Sequence, residues 1–168
     1  VVDDEELLLA LLNTTPTVSG EAHDLLADPE TARAWLAGHA GEDALGEDLA
    51  LLRSTRDTLQ ALVHDRATPA ALAPALHGVG YRPVAGDAGL TWRLSTPPGH
   101  AVAARAVVAW DALRRTAPGR LRACENTEEC TLFLIDRSKS NSARWCSMAG
   151  CGNRMKARRH YERRKNTR

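Results

Sequence analysis

All four cysteines of this chain, Cys124, Cys130, Cys146 and Cys151, fall within its last 45 residues, in two close pairs separated by a longer excursion. Five residues separate the first pair, fifteen lie between the pairs, and four separate the second. Two short-range pairs, each presented by one tight turn, can bring four sulfurs to the corners of a tetrahedron, the geometry of a structural Zn2+ site. Both gaps exceed the commonest two-residue knuckle, so disulfides and unrelated buried thiols stand beside zinc as alternatives. The opening stretch Val1 to Leu12 begins with acids where a secretory leader needs a basic flank, and no apolar run approaches the roughly 20 residues of a membrane span. The expectation is a cytoplasmic protein with no membrane partner, and a reducing compartment disfavours disulfides.

A charge asymmetry coincides with the cysteines. The formal net charge of +1 divides at Gly119, where Thr116-Ala117-Pro118-Gly119 marks a junction. Residues 1–119 carry nine arginines against sixteen acids, net −7, and residues 120–168 carry thirteen lysines and arginines against five acids, net +8. An acidic body joined to a basic segment points to a polyanionic partner or to a clamp between the halves. With 43% hydrophobic and 26% charged residues, the chain is expected to pack a core, which excludes wholesale disorder.

The periodicity of residues 1–119 reads as mainly helical. Leu7 to Leu12 form a short apolar segment that stops at Asn13-Thr14-Thr15-Pro16. Asp28-Pro29-Glu30 supplies a cap, a first-turn proline and an early acid ahead of Ala32, Trp35 and Leu36. Between Glu42 and Arg66, the residues Leu45, Leu49, Leu52, Leu59, Leu62 and Val63 recur at helical spacing and predict the core helix. Thr68-Pro69 opens a shorter alanine-rich helix ending near Gly78 and Gly80. Tyr81 to Val84 and Leu90 to Leu94, joined by Gly86-Asp87-Ala88-Gly89, predict a small hairpin. Val102, Ala106, Ala109, Trp110 and Leu113 mark a last helix before Pro118-Gly119.

In residues 120–168, Leu121 to Cys124 and Thr131 to Ile135 have strand-like composition, and Ser147 is placed to cap a helix running from Met148. Cys151 then falls in the first helical turn, where the helix dipole and free amides favour a thiolate. Arg144 and Arg154 are placed to offset the charge of minus two left by four thiolates on one Zn2+. The expected fold class is therefore mainly α: a helical N-terminal domain with a small β-hairpin, then a C-terminal α+β zinc finger of ribbon or treble-clef type. A finger this small buries little core, so its metal supplies much of the folding energy.

The segments Arg144-Trp145-Cys146-Ser147-Met148 and Cys151-Gly152-Asn153-Arg154, followed by Lys156, strongly resemble the CGNR zinc-finger family. The likeness extends upstream through Phe133, Asp136, Arg137 and Ser138 to Cys124 and Cys130, over about the last 48 residues; the first cysteine gap is one residue longer than the commonest family form. The resemblance implies zinc ligation by the four cysteines and nucleic-acid binding. The preceding part resembles ABATE, a helical domain of stress-induced transcription regulators, on Leu11-Leu12-Asn13-Thr14, Asp24-Leu25-Leu26 and the stretch from Pro29 to Leu36. That likeness implies a regulator and brings no reaction with it.

The C-terminal segment after Cys151 carries eight lysines and arginines against Glu162 alone. At about 100 degrees per residue, Lys156, Arg158, Arg159, Arg163, Arg164 and Lys165 spread around most of the helix, which suits phosphates, a solvated tail or an acidic protein. Contacts from about four to six of these cations would give a slope of log K against log salt near about −4 to −5. Tyr161 is compatible with stacking on a base or covering the helix. Asp136 and Arg154 are read as an ion pair tying strand to helix, and Asn153 as a bridge in the same turn. If Asn153 and Arg154 face outward, they suit adenine and guanine edges.

Arg56 interrupts the apolar stripe of the core helix. Its readings are a packed stem with a solvated head, a buried pair, or a contact to an anionic small-molecule effector. His23, His39, His64, His77 and His100 show no ligand spacing and read as surface residues. No phosphate-binding glycine loop, nucleophile elbow or metalloprotease helix is present, so the expectation is a binding protein rather than an enzyme. The favoured partner is DNA, with RNA as the rival, and a helical domain that binds a small molecule while the finger is structural is the alternative of a different class.

Overall fold

A computed structural model describes residues 3–18, 20–41, 44 and 46–165. Helix α1 spans Asp4–Leu12, and the strands β1 (Thr17–Val18) and β2 (Glu21–Ala22) form a minimal hairpin after it. Helices α2 (Pro29–His39) and α3 (Leu49–Val63) follow. A 3-10 turn, Pro69–Leu72, leads into the short α4 (Ala73–Leu76), then into the strands β3 (Gly80–Gly86) and β4 (Gly89–Ser95) and helix α5 (Ala101–Thr116). The basic part contributes β5 (Leu121–Ala123), β6 (Phe133–Ile135), a π-helical turn (Met148–Gly152) and α6 (Asn153–Lys165). All three strand pairs are antiparallel.

Helix α1 is the centre of the core. Leu7, Leu8, Leu11 and Leu12 are fully buried, and α5 and α3 pack against α1 and each other. Burying each of these leucines stabilises the fold by about 1.5–3 kcal/mol relative to exposure, so this short helix is held by its packing rather than by its length. The α5 face is the one its periodicity predicts, with Val102, Ala106, Ala109, Trp110 and Leu113 all buried; Ala103, Ala104 and Val107 widen it. Asp28 caps α2 by accepting from Thr31 N at 2.8 Å. Asp48 caps α3 through Ala50 N and Leu51 N at 2.9 and 3.0 Å, so the core helix begins at Leu49 rather than near Glu42. Glu42 and Leu45, which the sequence placed in that helix, lie outside the described residues.

Two segments depart from expectation for identifiable reasons. The alanine-rich helix after Pro69 is a 3-10 turn and a four-residue α4, because Pro74 lacks an N–H and its ring excludes the carbonyl four residues earlier. The β1–β2 hairpin went unread because its two-residue strands are too short to show alternation.

Arg56 is buried, with 3% of its surface exposed. Its guanidinium meets Asp24 twice, at 2.6 and 3.0 Å, bonds Asp57 at 2.9 Å and donates to Thr14 Oγ1 at 3.2 Å. Of the three readings, this is the buried pair, and it ties α3 to the loop before α2. Partial burial pushes the Asp24 carboxyl up, but the Arg56 hydrogen bond, the Leu26 amide and the Arg56 charge outweigh it and hold it below the ordinary 3.8. A carboxyl depressed in the folded state contributes stability that is complete above its unfolded value and lost as pH falls through the folded one. Asp24→Asn is therefore expected to cost about 2–3 kcal/mol near neutral pH, below the usual cost of breaking a buried pair because Asp57 remains. Urea titrations should find that difference shrinking toward pH 3; a constant difference would assign the loss to packing instead.

The basic part does not stand apart from the body. Phe133 belongs to the same buried cluster as the leucines of α1, with β6 against α1 and β5 against α3. The side chain of Asn13 imitates a neighbouring strand: Phe133 N donates to its Oδ1 at 2.7 Å, and its Nδ2 donates to Phe133 O at 3.2 Å. Thr131 Oγ1 adds a bond to Thr15 O at 2.8 Å. Gly119, at φ +73°, makes the turn that brings the chain from α5 to β5. No helix among the described residues is long and apolar enough to cross a membrane.

Candidate metal centre

The short strands β5 and β6 pair in register from Leu121↔Ile135 to Ala123↔Phe133 and place Cys124 at the end of one of them. The chain then turns through Glu125–Glu129, where Asn126 O accepts from Cys130 N at 2.9 Å and Glu129 N at 3.2 Å, and Cys130 comes back beside Cys124. Of the second pair, Cys146 precedes the π-helical turn and Cys151 lies within it; the start of the turn is capped by Ser147 Oγ accepting from Gly150 N at 3.0 Å. Cys151 thus lies in the turn leading into α6, at the positive end of that helix. Gly152 lets the turn pack closely: a Cβ there would come within 2.9 Å of Met148 Sδ and 3.3 Å of Trp145 Cδ1, so Met148 would have to shift.

The four sulfurs all lie within 4.8 Å of one another. Cys146 Sγ is 3.7 Å from both Cys130 Sγ and Cys151 Sγ. A tetrahedron with metal–sulfur bonds of about 2.3 Å has edges of about 3.8 Å, so the donor set fits a four-coordinate thiophilic ion of zinc's size. The environment also suits thiolates. Cys146 N reaches Cys124 Sγ at 3.5 Å, Leu132 N reaches Cys130 Sγ at 3.5 Å, and Asn126 Nδ2 reaches Cys151 Sγ at 3.6 Å.

Without a cation two of the four thiols resist ionising. Burial pushes the Cys130 thiol up to about 11 and raises that of Cys146 as well. Burial also works against Cys151, but the Asn126 amide and the other three cysteines hold it below the ordinary thiol value. A divalent ion resolves this conflict by displacing the protons, so all four residues can act as ligands together.

Arg144 and Arg154, expected to offset the charge of the site, are each paired with a carboxylate of the first knuckle. Arg144 bonds Glu125 and lies 5.3 Å from the centre of the Trp145 ring, while Arg154 reaches Glu129 at 3.7 Å. The Asp136–Arg154 pair is corrected. Asp136 is buried, accepts from Ser138 N and Ala143 N at 2.7 and 2.8 Å, and lies 3.6 Å from Arg122. The Ser138 hydrogen bonds hold its carboxyl below the ordinary range despite burial. Its role is to fold the long excursion between the cysteine pairs so that the chain returns at Cys146. Asn153 is exposed, with its amide 3.5 Å from Ala149 O, bridging the turn as read.

Asn126 carries no motif signal, being one asparagine inside a gap, and sequence reasoning missed it. It is 1% exposed, its Nδ2 faces Cys151 Sγ, and its Oδ1 has no partner among the described residues. A buried amide in such a position is kept for the sulfur it orients. Asn126→Ala is expected to weaken zinc binding about 10–100-fold, as the loss of a group supporting a ligand does, with helical content unchanged. Competition against a chromophoric chelator measures it; unchanged affinity would reduce Asn126 to a packing residue.

The cations of α6 divide into two groups. Arg158 is held by Glu128 at 2.6 Å and Glu129 at 3.2 Å, which fixes the helix to the first knuckle. Lys156, Arg159, Arg163 and Arg164 are exposed, and Arg159 lies 6.0 Å from the centre of the Trp145 ring. Tyr161 is 69% exposed and meets the ring of His160 edge-on, 6.2 Å between centres. The side chain of Lys165 lies outside the described residues.

Comparison with protein families gives two matches in chain order. The family described as "CGNR zinc finger" matches residues 120–164, and the family described as "Putative stress-induced transcription regulator" (ABATE) matches residues 5–117. No curated protein matches the chain significantly.

Proposed function

The chain belongs to the ABATE family and carries a CGNR zinc finger after the ABATE domain, and on that premise we propose that it is a Zn2+-dependent regulator of transcription that binds duplex DNA. The observation that carries the reading is α6, a thirteen-residue helix anchored at the metal end, with exposed cations spread around it and no apolar face beyond Arg158. Such a surface is matched to phosphates, which present charge without demanding a particular sequence. In this reading Cys124, Cys130, Cys146 and Cys151 hold the Zn2+, which supplies structure and no reaction, and Asn126 and Arg158 set the pose of the helix. The protein acts by binding rather than by catalysis.

Binding of the metal-replete chain to duplex DNA, structured RNA and single strands at matched salt tests the proposal. Preference for duplex DNA supports it, preference for RNA replaces it with the RNA-binding rival, and no binding to any of the three rejects it.

A second reading has one specific observation behind it. A cleft of about 370 Å3 lies between the helical body and the finger, lined among others by Gln60, His64, Arg66, Thr131 and Phe133, with Cys124 and Cys130 in its wall. A small effector bound there would press on the metal centre. Thermal-shift screening of the full chain, with Arg66→Ala as the control, tests that reading.

A further inference from the structure

The four sulfurs of the metal centre are not equivalent. Cys124 and Cys151 are buried, with 2% and 3% of their surface exposed, whereas Cys130 and Cys146 are partly open to solvent. Ser147, Met148 and Ala149, which follow Cys146, are all exposed, so the turn beyond it lies at the surface. Hydrogen bonding separates the sulfurs in a second way. Cys124 accepts from Cys146 N and Cys130 from Leu132 N, both at 3.5 Å, and Cys151 accepts from Asn126 Nδ2 at 3.6 Å. Cys146 Sγ accepts no N–H from the described residues; it meets only the sulfurs of Cys130 and Cys151, each at 3.7 Å.

Both differences bear on reactivity. The thiolate is the nucleophilic form of a cysteine, and its rate depends on access. Metal binding makes all four sulfurs thiolates, so the proton no longer ranks them, and exposure and hydrogen bonding do. An N–H on a thiolate draws on the lone pairs that would attack an electrophile, and it fixes the direction of the sulfur as well. Cys130 is open but hydrogen-bonded, and Cys124 and Cys151 are both hydrogen-bonded and buried. Cys146 alone among them combines an open approach with a sulfur that no N–H restrains.

We propose that Cys146 is a modification site, the metal-bound thiolate that reacts first with a peroxide, and that Cys130 completes the reaction as a disulfide. The inference rests on metal binding by the four cysteines and not on the DNA reading. The Cys146 thiolate attacks one oxygen of hydrogen peroxide, the O–O bond breaks, and the products are a sulfenic acid on Cys146 and one hydroxide. The Cys130 thiolate then attacks that sulfur, forming the S–S bond and expelling a second hydroxide. Two electrons pass from the two sulfurs to the peroxide, and each hydroxide takes a proton from water's buffer. Cys130 is the resolving sulfur because it sits in a loop that can close the 3.7 Å gap to the about 2.05 Å of a disulfide. Cys151, at the same distance, is buried in the turn that leads into α6 and held by Asn126. The disulfide withdraws two of the four ligands, so the metal is released. It also bridges the two knuckles, which keeps the ligands together and lets a thiol reductant restore the site.

The test uses the full chain with its zinc content measured beforehand. One sample meets less than one equivalent of N-ethylmaleimide, another meets hydrogen peroxide, and mass spectrometry locates the modified cysteines. Fragmentation spectra make the assignment, since Cys146 and Cys151 share the tryptic peptide 145–154. Alkylation of Cys146 is expected at least about tenfold ahead of Cys124 and Cys151. Peroxide should give a Cys130–Cys146 disulfide in step with zinc release, and a thiol reductant with added zinc should reverse both. Cys146→His keeps a donor that zinc accepts and should slow peroxide-driven release at least about tenfold. If that variant holds no zinc, the labelling of the unaltered chain decides alone. First reaction at another cysteine, equal reaction at all four, a disulfide that omits Cys146 or Cys130, or oxidation that leaves zinc bound overturns the proposal. A chain that never holds zinc fails the metal centre itself, whereas one that holds zinc and reacts elsewhere fails only this inference.

Discussion

Stripped of its metal by a strong chelator, the protein is expected to lose hydrogen-exchange protection across residues 124–130 and 146–158 while α1, α3 and α5 stay protected. The four clustered sulfurs stand where the two knuckles meet, the remaining links between them being mostly exposed ion pairs such as Arg144 with Glu125 and Arg158 with Glu128, and the apparent binding free energy of a structural zinc site is about 10–16 kcal/mol at neutral pH. Against that, the fully ordered apolar side chains of the basic part are few: Phe133 and Leu134 are buried, together with Cys124 and Cys151. The buried face of α1, by contrast, packs against α3, α5 and β6 without calling on any sulfur. The loss should also be graded. Strand β6 is held by Asn13 and by the packing of Phe133 in the shared core, so it should open later than the knuckles and α6. Cys151→Ser should reproduce the result without chelator. If verified removal of the metal left knuckle protection intact, the ion would be an accessory rather than the element that folds the finger.

Affinity for duplex DNA is expected to fall about 100-fold between 50 and 200 mM salt, because phosphate binding releases counterions with a slope of about 0.9 per neutralised charge. Beyond Arg154, which reaches Glu129, the exposed described cations of α6 are Lys156, Arg159, Arg163 and Arg164. Three to four phosphate contacts from this group correspond to a slope of log K against log salt of about −3 to −4. The sequence by itself suggests a steeper slope, since it counts Arg158, and the structure commits that residue to Glu128 and Glu129. Neutralising Lys156, Arg159, Arg163 and Arg164 together should flatten the slope and weaken binding to all duplex sequences alike. Arg158→Ala should act differently, by loosening the helix from the knuckle. A neutralised variant with unaltered metal content, affinity and salt slope would remove α6 from the interface.

Much of the centre was legible because its information is local. The four ligands follow from spacing and motif, Ser147 and Asp28 cap the turns their positions suggest, and the apolar stripe of α5 emerges at its predicted residues. Arg56 shows how far that legibility reaches. Periodicity exposes it as a charge inside an apolar stripe, but the partner is Asp24, 32 residues earlier in the chain and on another element. The assignment of Asp136 to Arg154 failed for the same reason: both residues stood out in the motif, and opposite charge suggested a bond that the loop closes with Ser138, Ala143 and Arg122 instead.

Local patterns therefore determined which four cysteines gather as a metal centre, where α2 begins, which stripe of α5 is apolar and how charge divides along the chain. Each of these depends on side chains within about two turns of one another, where backbone geometry alone sets the neighbours. Tertiary structure decided what meets each prepared face. It set Asn13 against Phe133 across 120 residues, placed Asn126 beside Cys151, tied Arg158 to Glu128 and Glu129, and left Trp92 and Tyr81 in solvent. The physical reason is that amphipathic alternation specifies that a surface needs a cover, whereas the identity of the cover depends on how distant segments pack, and in the β3–β4 hairpin no segment of the described chain supplies it.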